Sequence, residues 1–276
     1  MIKRYSASNL KTWCRCPKLW KYKYIDRMES KFKGRALGIG TVFHAGCASW
    51  YMTDFNETAA VAECMAIDEE LERADRLLAA GMVKGYAQNY AGCTWEILEI
   101  EKDMYVTVNG TDFIVKMDGI VRIGMDVWVL EHKTASRIDR NYWAQREMDL
   151  QIDLYLIAAK MLGYNPKGVL YDVVVKPKLK FLDRETEEQY INRCAAWVQQ
   201  PGKMEQVQYI RTPEQLEYTT RDTTEMVACT QRAIKSDQFP RNMNACFDFY
   251  RDCEFLPVCQ GRTTLEDDML YQVRKR

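Results

Sequence analysis

A chain of 276 residues with 47% hydrophobic and 28% charged side chains has the length and ordinary globular composition to bury one large core or two small ones. Basic and acidic residues both number 39, so attraction of nucleic acid by bulk charge is excluded and any such contact must come from a local groove. No stretch reaches the roughly 18 apolar residues of a membrane helix, and the start, Met1 to Ser6, has no apolar export signal, so a cytoplasmic protein is expected.

In chain order, residues 5–26 read as a short helical region broken and restarted at Cys16-Pro17, because proline suits the first turn of a helix. The restarted helix carries Trp20, Tyr22 and Tyr24, and residues 27–35 are charged and loop-like. Gly38 and Gly40 then precede a helix holding Val42, His44, Ala45, Ala48 and Tyr51. Residues 57–88 form a longer helical stretch, interrupted near Gly81 and Gly85.

From 97 to 133 the apolar pattern changes to period two, with Phe113, Val115, Met117 and Val121 on one face and Ile114, Lys116, Asp118 and Ile120 on the other. Asn109-Gly110 is a two-residue hairpin signal, and a second turn falls near Gly124. Residues 141–162 return to helix, ended by Gly163 and Pro166, and 169–175 read as a buried strand stopped by Pro177. Charged helices follow around 184–199 and 222–236, then a loop over 240–261. Strands, a helix and a further strand make a mixed α/β core with helical insertions on either side.

The chemistry centres on Asp118 and on Glu131-His132-Lys133. Residues two apart in a strand share a face, so Glu131 and Lys133 point one way and His132 the other. If Gly124-Met125 is a two-residue turn, Ile123 pairs with Asp126 and Asp118 lies opposite Glu131; a three-residue loop would need a bulge to restore that register. Two adjacent carboxylates repel unless a cation neutralises them, and oxygen ligands favour Mg or Mn. Such a metal can activate water beside a phosphate, while Lys133 orients the water or stabilises charge. Taken alone, E-x-K better suits an exposed sheet face with a casual ion pair. Gln151 and Tyr155, four apart on the next helix, share a face. His44 supplies an imidazole, although a lone histidine among apolar neighbours also suits a packed core.

Ten cysteines without an export signal argue for metal binding or redox chemistry over disulfides. Cys246, Cys253 and Cys259 are grouped in one loop, and Cys16 lies at the opposite end of the chain. Four thiolates suit zinc or an iron–sulfur cluster, and the chain has no C-x-x-C pair. Cys47, Cys64, Cys93, Cys194 and Cys229 read as ordinary packed or surface thiols.

The ordered set His44, Asp118, Glu131-His132-Lys133 and Gln151-Ile152-Asp153-Leu154-Tyr155 resembles the RecB-like branch of the PD-(D/E)XK nucleases, whose pattern is H, D, E-x-K, Q-x-x-x-Y. Met117 stands where a proline often precedes the aspartate. The resemblance implies an α/β restriction-endonuclease-like core, a mixed central sheet flanked by helices. It implies metal ligation by His44, Asp118, Glu131 and the His132 carbonyl. The catalytic set it implies is Asp118, Glu131 and Lys133, with Gln151 and Tyr155 contacting DNA or supporting the site. Ser8-x-Leu10, Cys16-Pro17-x-x-Trp20 and Cys246, Cys253 and Cys259 resemble the iron–sulfur members of that branch, which include CRISPR-associated, AddB-type and phage-encoded nucleases. There, four cysteines hold a structural 4Fe-4S cluster that clasps the two chain ends.

On that resemblance the chain is a single nuclease domain over 1–276. Its cluster lobe comes from 1–35 and 236–262, a helical segment with the motif histidine spans 36–95, and the core spans 96–180. The implied activity is a Mg- or Mn-dependent DNA exonuclease acting on single-stranded or frayed ends, in the cytoplasm of a bacterium or of a phage's host. The alternatives are a CRISPR-adaptation-type or structure-specific endonuclease, or a non-catalytic DNA-binding scaffold. DNA is the expected partner, with a helicase, recombination or CRISPR protein beside it. The chain has no G-x-x-x-x-G-K-S/T phosphate loop for ATP-driven unwinding. Lys176, Lys178 and Lys180 either line a DNA groove or are merely solvated. Of the neighbouring thiols Cys14 and Cys16, Cys16 is the expected ligand, because Pro17 holds it extended at a helix boundary.

Overall fold

The computed structural model describes residues 2–32, 34–67, 71–247 and 252–274. The chain forms two compact units, one from Met1–Lys33, Tyr105–Val115 and Thr212–Arg276, the other from Gly34–Met104 and Lys116–Arg211.

In the first unit, the Ser6 hydroxyl accepts from the Asn9 N–H and caps α1 (Ala7–Arg15). Cys16 is extended, as a residue before proline must be, and Pro17 opens α2 (Pro17–Trp20). The expected loop over 27–35 contains strand β1 (Met28–Ser30), paired antiparallel with the last described strand, β9 (Tyr271–Val273). A three-residue strand leaves no period to read, and its partner lies at the far end of the chain. The hairpin β3 (Asp103–Val108) and β4 (Thr111–Lys116) turns on Asn109 and Gly110, both at positive φ as a tight primed turn requires. Helix α9 (Pro213–Ser236) begins well before the expected 222, where Thr212 and Gln215 form a reciprocal capping box. The short helix α10 (Leu256–Cys259) lies within the expected terminal loop. Leu19, Tyr22, Phe255 and Tyr271 form a buried cluster, with Phe255 and Tyr271 stacked at 5.2 Å.

The second unit is built on a five-stranded sheet: β2 (Glu96–Ile100), β5 (Gly119–Ile123), β6 (Asp126–Ala135), β7 (Gly168–Val175) and β8 (Met204–Tyr209), paired in that order. β6 and β7 run parallel and the other pairs antiparallel. The parallel step is crossed by α6 (Arg140–Ala144) and α7 (Leu150–Met161), two helices where the sequence reads as one. The turn at Gly124, φ +61, pairs Ile123 with Asp126 and Gly119 with Leu130, so the register runs towards Asp118 opposite Glu131. The period-two pattern from Phe113 to Val121 is two strands in two sheets, β4 and β5, broken at Met117-Asp118. β8 escapes the sequence pattern because three of its six residues, Glu205, Gln206 and Gln208, are polar.

Helices α3 (Arg35–Met52), α4 (Glu57–Ala66), α5 (Arg73–Asn89) and α8 (Glu187–Val198) bury a large apolar core with Val121, Trp128, Leu130, Leu170 and Val174 of the sheet. Gly38 and Gly40 lie inside α3 rather than ahead of it, and α5 runs unbroken through Gly81 and Gly85. Their role is close approach: a Cβ at Gly81 would stand 2.4 Å from Cys194 Cβ and 2.8 Å from the Ile191 carbonyl of α8. No described helix is long and apolar enough to cross a membrane.

Glycine to alanine inside a helix normally stabilises by about 1 kcal/mol. At Gly81 the backbone carbonyl of α8 cannot yield as a flexible side chain would, so overpacking wins. Gly81→Ala is expected to destabilise the protein by roughly 1–3 kcal/mol, read as a lower urea midpoint. An unchanged or higher midpoint would overturn the packing argument.

Candidate active site

The alternation of β6 sorts its polar side chains. On one side Lys133 Nζ is ion-paired with Glu131 Oε1, and Gln151 Nε2 of α7 donates to the same oxygen at 3.0 Å. Gln151 also donates to the Tyr155 hydroxyl one turn on, so the two share a helix face. Asp118 lies directly before β5. Its Oδ2 accepts the His132 backbone N–H at 2.6 Å and its Oδ1 is 3.2 Å from His44 Nδ1 of α3.

On the other side the His132 ring enters a buried polar network. Its Nε2 is 3.0 Å from the Tyr86 hydroxyl and 3.2 Å from that of Tyr51. Tyr86, Tyr90 and Gln206 all donate to the Asp172 carboxylate, at 3.1, 2.6 and 3.1 Å.

The two carboxyls of the site are driven apart in acidity. Burial works to raise Asp118, but the His44 charge and the hydrogen bond from His132 outweigh it and hold Asp118 well below the usual carboxylate range. Burial also raises Glu131; Lys133 opposes this, Asp118 reinforces it, and the net shift is upward. For Lys133 burial acts downward, and the charges of Glu131 and Asp118 more than reverse it.

The donor set suits a hard divalent cation. Glu131 is buried, 1% exposed, and its Oε2 has no hydrogen-bond partner, a costly state for a carboxylate oxygen unless a cation satisfies it. Among the described residues, His44, Glu101 and Asp118 offer ligand atoms all within 4.8 Å of one another. Glu101 is absent from the sequence reading. It sits at φ +47 directly after β2, its N–H donates to the Asp118 carbonyl at 3.2 Å, and its carboxylate pairs with Lys116 at 2.7 Å. The signal for it is the pairing of Ile100 with Gly119, which puts the next residue beside Asp118. A groove of about 920 Å³ is lined by His44, Glu101, Asp118, Lys133, Gln151 and Tyr155, with Gly40, Ala45, Ala48 and Ser49 of α3 along it, and Glu131 lies outside that lining.

In the first unit Cys16, Cys246, Cys253 and Cys259 line one cavity of about 260 Å³. The Cys253 N–H donates to the Cys246 carbonyl at 2.8 Å, and the Asn242 N–H to Cys16 Sγ at 3.4 Å. Cys14 is exposed and takes no part in that lining, while Cys47, Cys64 and Cys194 are buried.

The family model of the PD-(D/E)XK nuclease superfamily matches residues 4–260. The chain therefore belongs to that superfamily and is a hydrolytic nuclease, of a family that uses divalent metals. No curated protein matches the sequence. Among solved structures, a protein of Eubacterium rectale provisionally named an exonuclease is similar, with a TM-score of 0.53 and 14% identity over 96% of this chain and 90% of that one. A protein called SSO0001 aligns over 74% of this chain and 80% of its own, at a TM-score of 0.31 and 14% identity.

If Glu101 helps hold the ion, Glu101→Gln should weaken Mn2+ binding by about tenfold or more, the scale on which even outer partners of a metal act. Calorimetric titration checks this, with thermal unfolding of the metal-free protein as the control. An unchanged affinity would make Glu101 only a partner of Lys116.

Proposed function

We propose that the chain is a metal-dependent DNA exonuclease that hydrolyses phosphodiesters from single-stranded ends with Mg or Mn. The observation that carries this is the unpartnered Glu131 Oε2, buried close to Asp118, His44 and Lys133, which line one groove. In this reading His44, Asp118, Glu131 and the His132 carbonyl hold the ion, with Glu101 beside them. When bound, the ion supplies Lewis acidity towards a phosphate oxygen and a polarised water. Lys133 would position that water and face the negative charge that develops on the phosphate. Gln151 fixes one Glu131 oxygen, leaving the other free for the ion, and Tyr155 holds Gln151 from the next turn. The small side chains of α3 leave room for a single strand. The name carried by the Eubacterium rectale protein supports an exonuclease.

The same reading gives Cys16, Cys246, Cys253 and Cys259 a structural 4Fe-4S cluster. They line a common cavity, and four thiolates suit such a cluster.

The test is pure protein with end-labelled linear single strands, the same strand closed into a circle, and duplex, each with Mn2+, Mg2+ or EDTA. Linear strands should be degraded only with metal, and circles much more slowly; equal rates would point to an endonuclease. Glu131→Ala and Lys133→Ala should each lose at least about a hundredfold in rate while staying folded. Wild-type rates in both would overturn the site, and binding without cleavage would favour a scaffold.

For the thiols, Cys16→Ser is expected to lose iron, brown colour and thermal stability together, because it releases one chain end from the other. Cys14→Ser should keep all three. The reverse result would reassign the ligand, and zinc in anaerobically purified protein would overturn the cluster.

A further inference from the structure

The carboxyl ends of the parallel strands β6 and β7, the usual place for ligands in such sheets, carry a second concavity in the same unit. It holds about 430 Å³ and is lined by Ser136, Arg137, Lys176, Lys178, Trp197 and Lys203 among others, with no carboxylate in the lining. Arg137 is ion-paired with Asp139 at 2.6 Å. The three lysines have no carboxylate partner among the described residues. Lys176 Nζ donates to Thr134 Oγ1 at 2.6 Å, and Lys203 Nζ lies 4.8 Å from the centre of the Trp197 ring.

Lys176 is the informative member. Burial alone pushes its ammonium below the ordinary lysine range, so a cation is drawn partly out of water with no counter-charge supplied among the described residues. An anion that enters the pocket supplies it. Lys176 and its partner Thr134 also line the catalytic groove, and Thr134 follows Lys133 in the chain. One ammonium thus borders both spaces.

We propose that this pocket is a phosphate-binding subsite that seats one phosphate of the substrate strand while another phosphodiester of the same strand lies in the catalytic groove. The proposal rests on the nuclease reading of that groove. The chemistry that fits is a nucleic-acid phosphate, either the terminal monoester of a strand or an internal diester. Lysines suit it because they act as point charges without demanding a bidentate geometry.

The experiment measures binding of short fluorescent single strands in EDTA, where nothing is cut, followed by cleavage kinetics in Mn2+. The strands carry a 5′-phosphate, a 3′-phosphate or no terminal phosphate. The variants are the double substitution Lys178→Gln with Lys203→Gln, and separately Lys178→Glu, each checked by thermal unfolding. The double variant should bind roughly tenfold more weakly, and its log–log salt slope should fall by roughly 0.7 for each phosphate that is no longer neutralised. KM should rise while kcat changes by less than about twofold, because the pocket holds the strand and does not touch the reacting phosphorus. Lys178→Glu should also bind more weakly than the wild type, because it places a negative charge in the pocket. A loss confined to one terminal monoester identifies a strand-end subsite, and an equal loss on all three strands identifies an internal one; either supports the pocket. Variants that match the wild type in affinity, salt slope and KM overturn it. Wild-type protein that cuts nothing would sink the nuclease reading instead, leaving the binding arm to be judged separately.

Discussion

Asp118 and Glu131 are two carboxylates withdrawn from water into one site, and the polar architecture of the second unit follows from the repulsion between them. A pair of this kind is tolerated only with opposing charge and hydrogen bonds in place. Asp118 takes a backbone N–H and an imidazole, while Glu131 takes an ammonium and a carboxamide on one oxygen. The second Glu131 oxygen is left over. An unsatisfied buried polar atom costs about 1–3 kcal/mol, more when charged. That cost is the reason to regard the site as built for an ion rather than for its own stability.

The strand that presents these groups is held from behind. His132 is the residue between Glu131 and Lys133, and its ring is fixed by Tyr51, Tyr86 and, through them, Asp172. Tyr51 and His44 are two turns apart on α3, so one helix reaches the sheet twice, once at His132 and once at Asp118. Tyr86 and Tyr90 add α5 to the same network. The buried histidine thus connects the helix that offers an imidazole to the strand that offers the carboxylate, and it limits how far either can drift.

Much of this was legible in the chain because it depends on local periodicity. The period of two separates Glu131 and Lys133 from His132, Gly124 sets the hairpin register, and the four-residue spacing brings Gln151 beside Tyr155. Features that depend on distant partners left no such trace. Glu101 reaches Asp118 only through the β2–β5 pairing. Strands β1 and β9 exist only as each other's partner. Gly81 and Gly85 read as interruptions because their reason, the backbone of α8, lies over a hundred residues downstream. The thiols fall between these cases: residue type and the Cys16-Pro17 pair flagged them, but only the fold shows that four of them share a cavity.

The two units differ in when they can be completed. The second is closed by residue 211, whereas the first needs Thr212–Arg276 to join segments made long before. On a ribosome adding roughly 5–20 residues per second, Leu19 and Tyr22 wait for more than two hundred further residues before Phe255 and Tyr271 exist. The same delay separates Cys16 from Cys246, Cys253 and Cys259. Sealing of the first unit therefore waits on residues made more than two hundred positions later, and until then the apolar faces of Leu19 and Tyr22 stay open and in need of shelter.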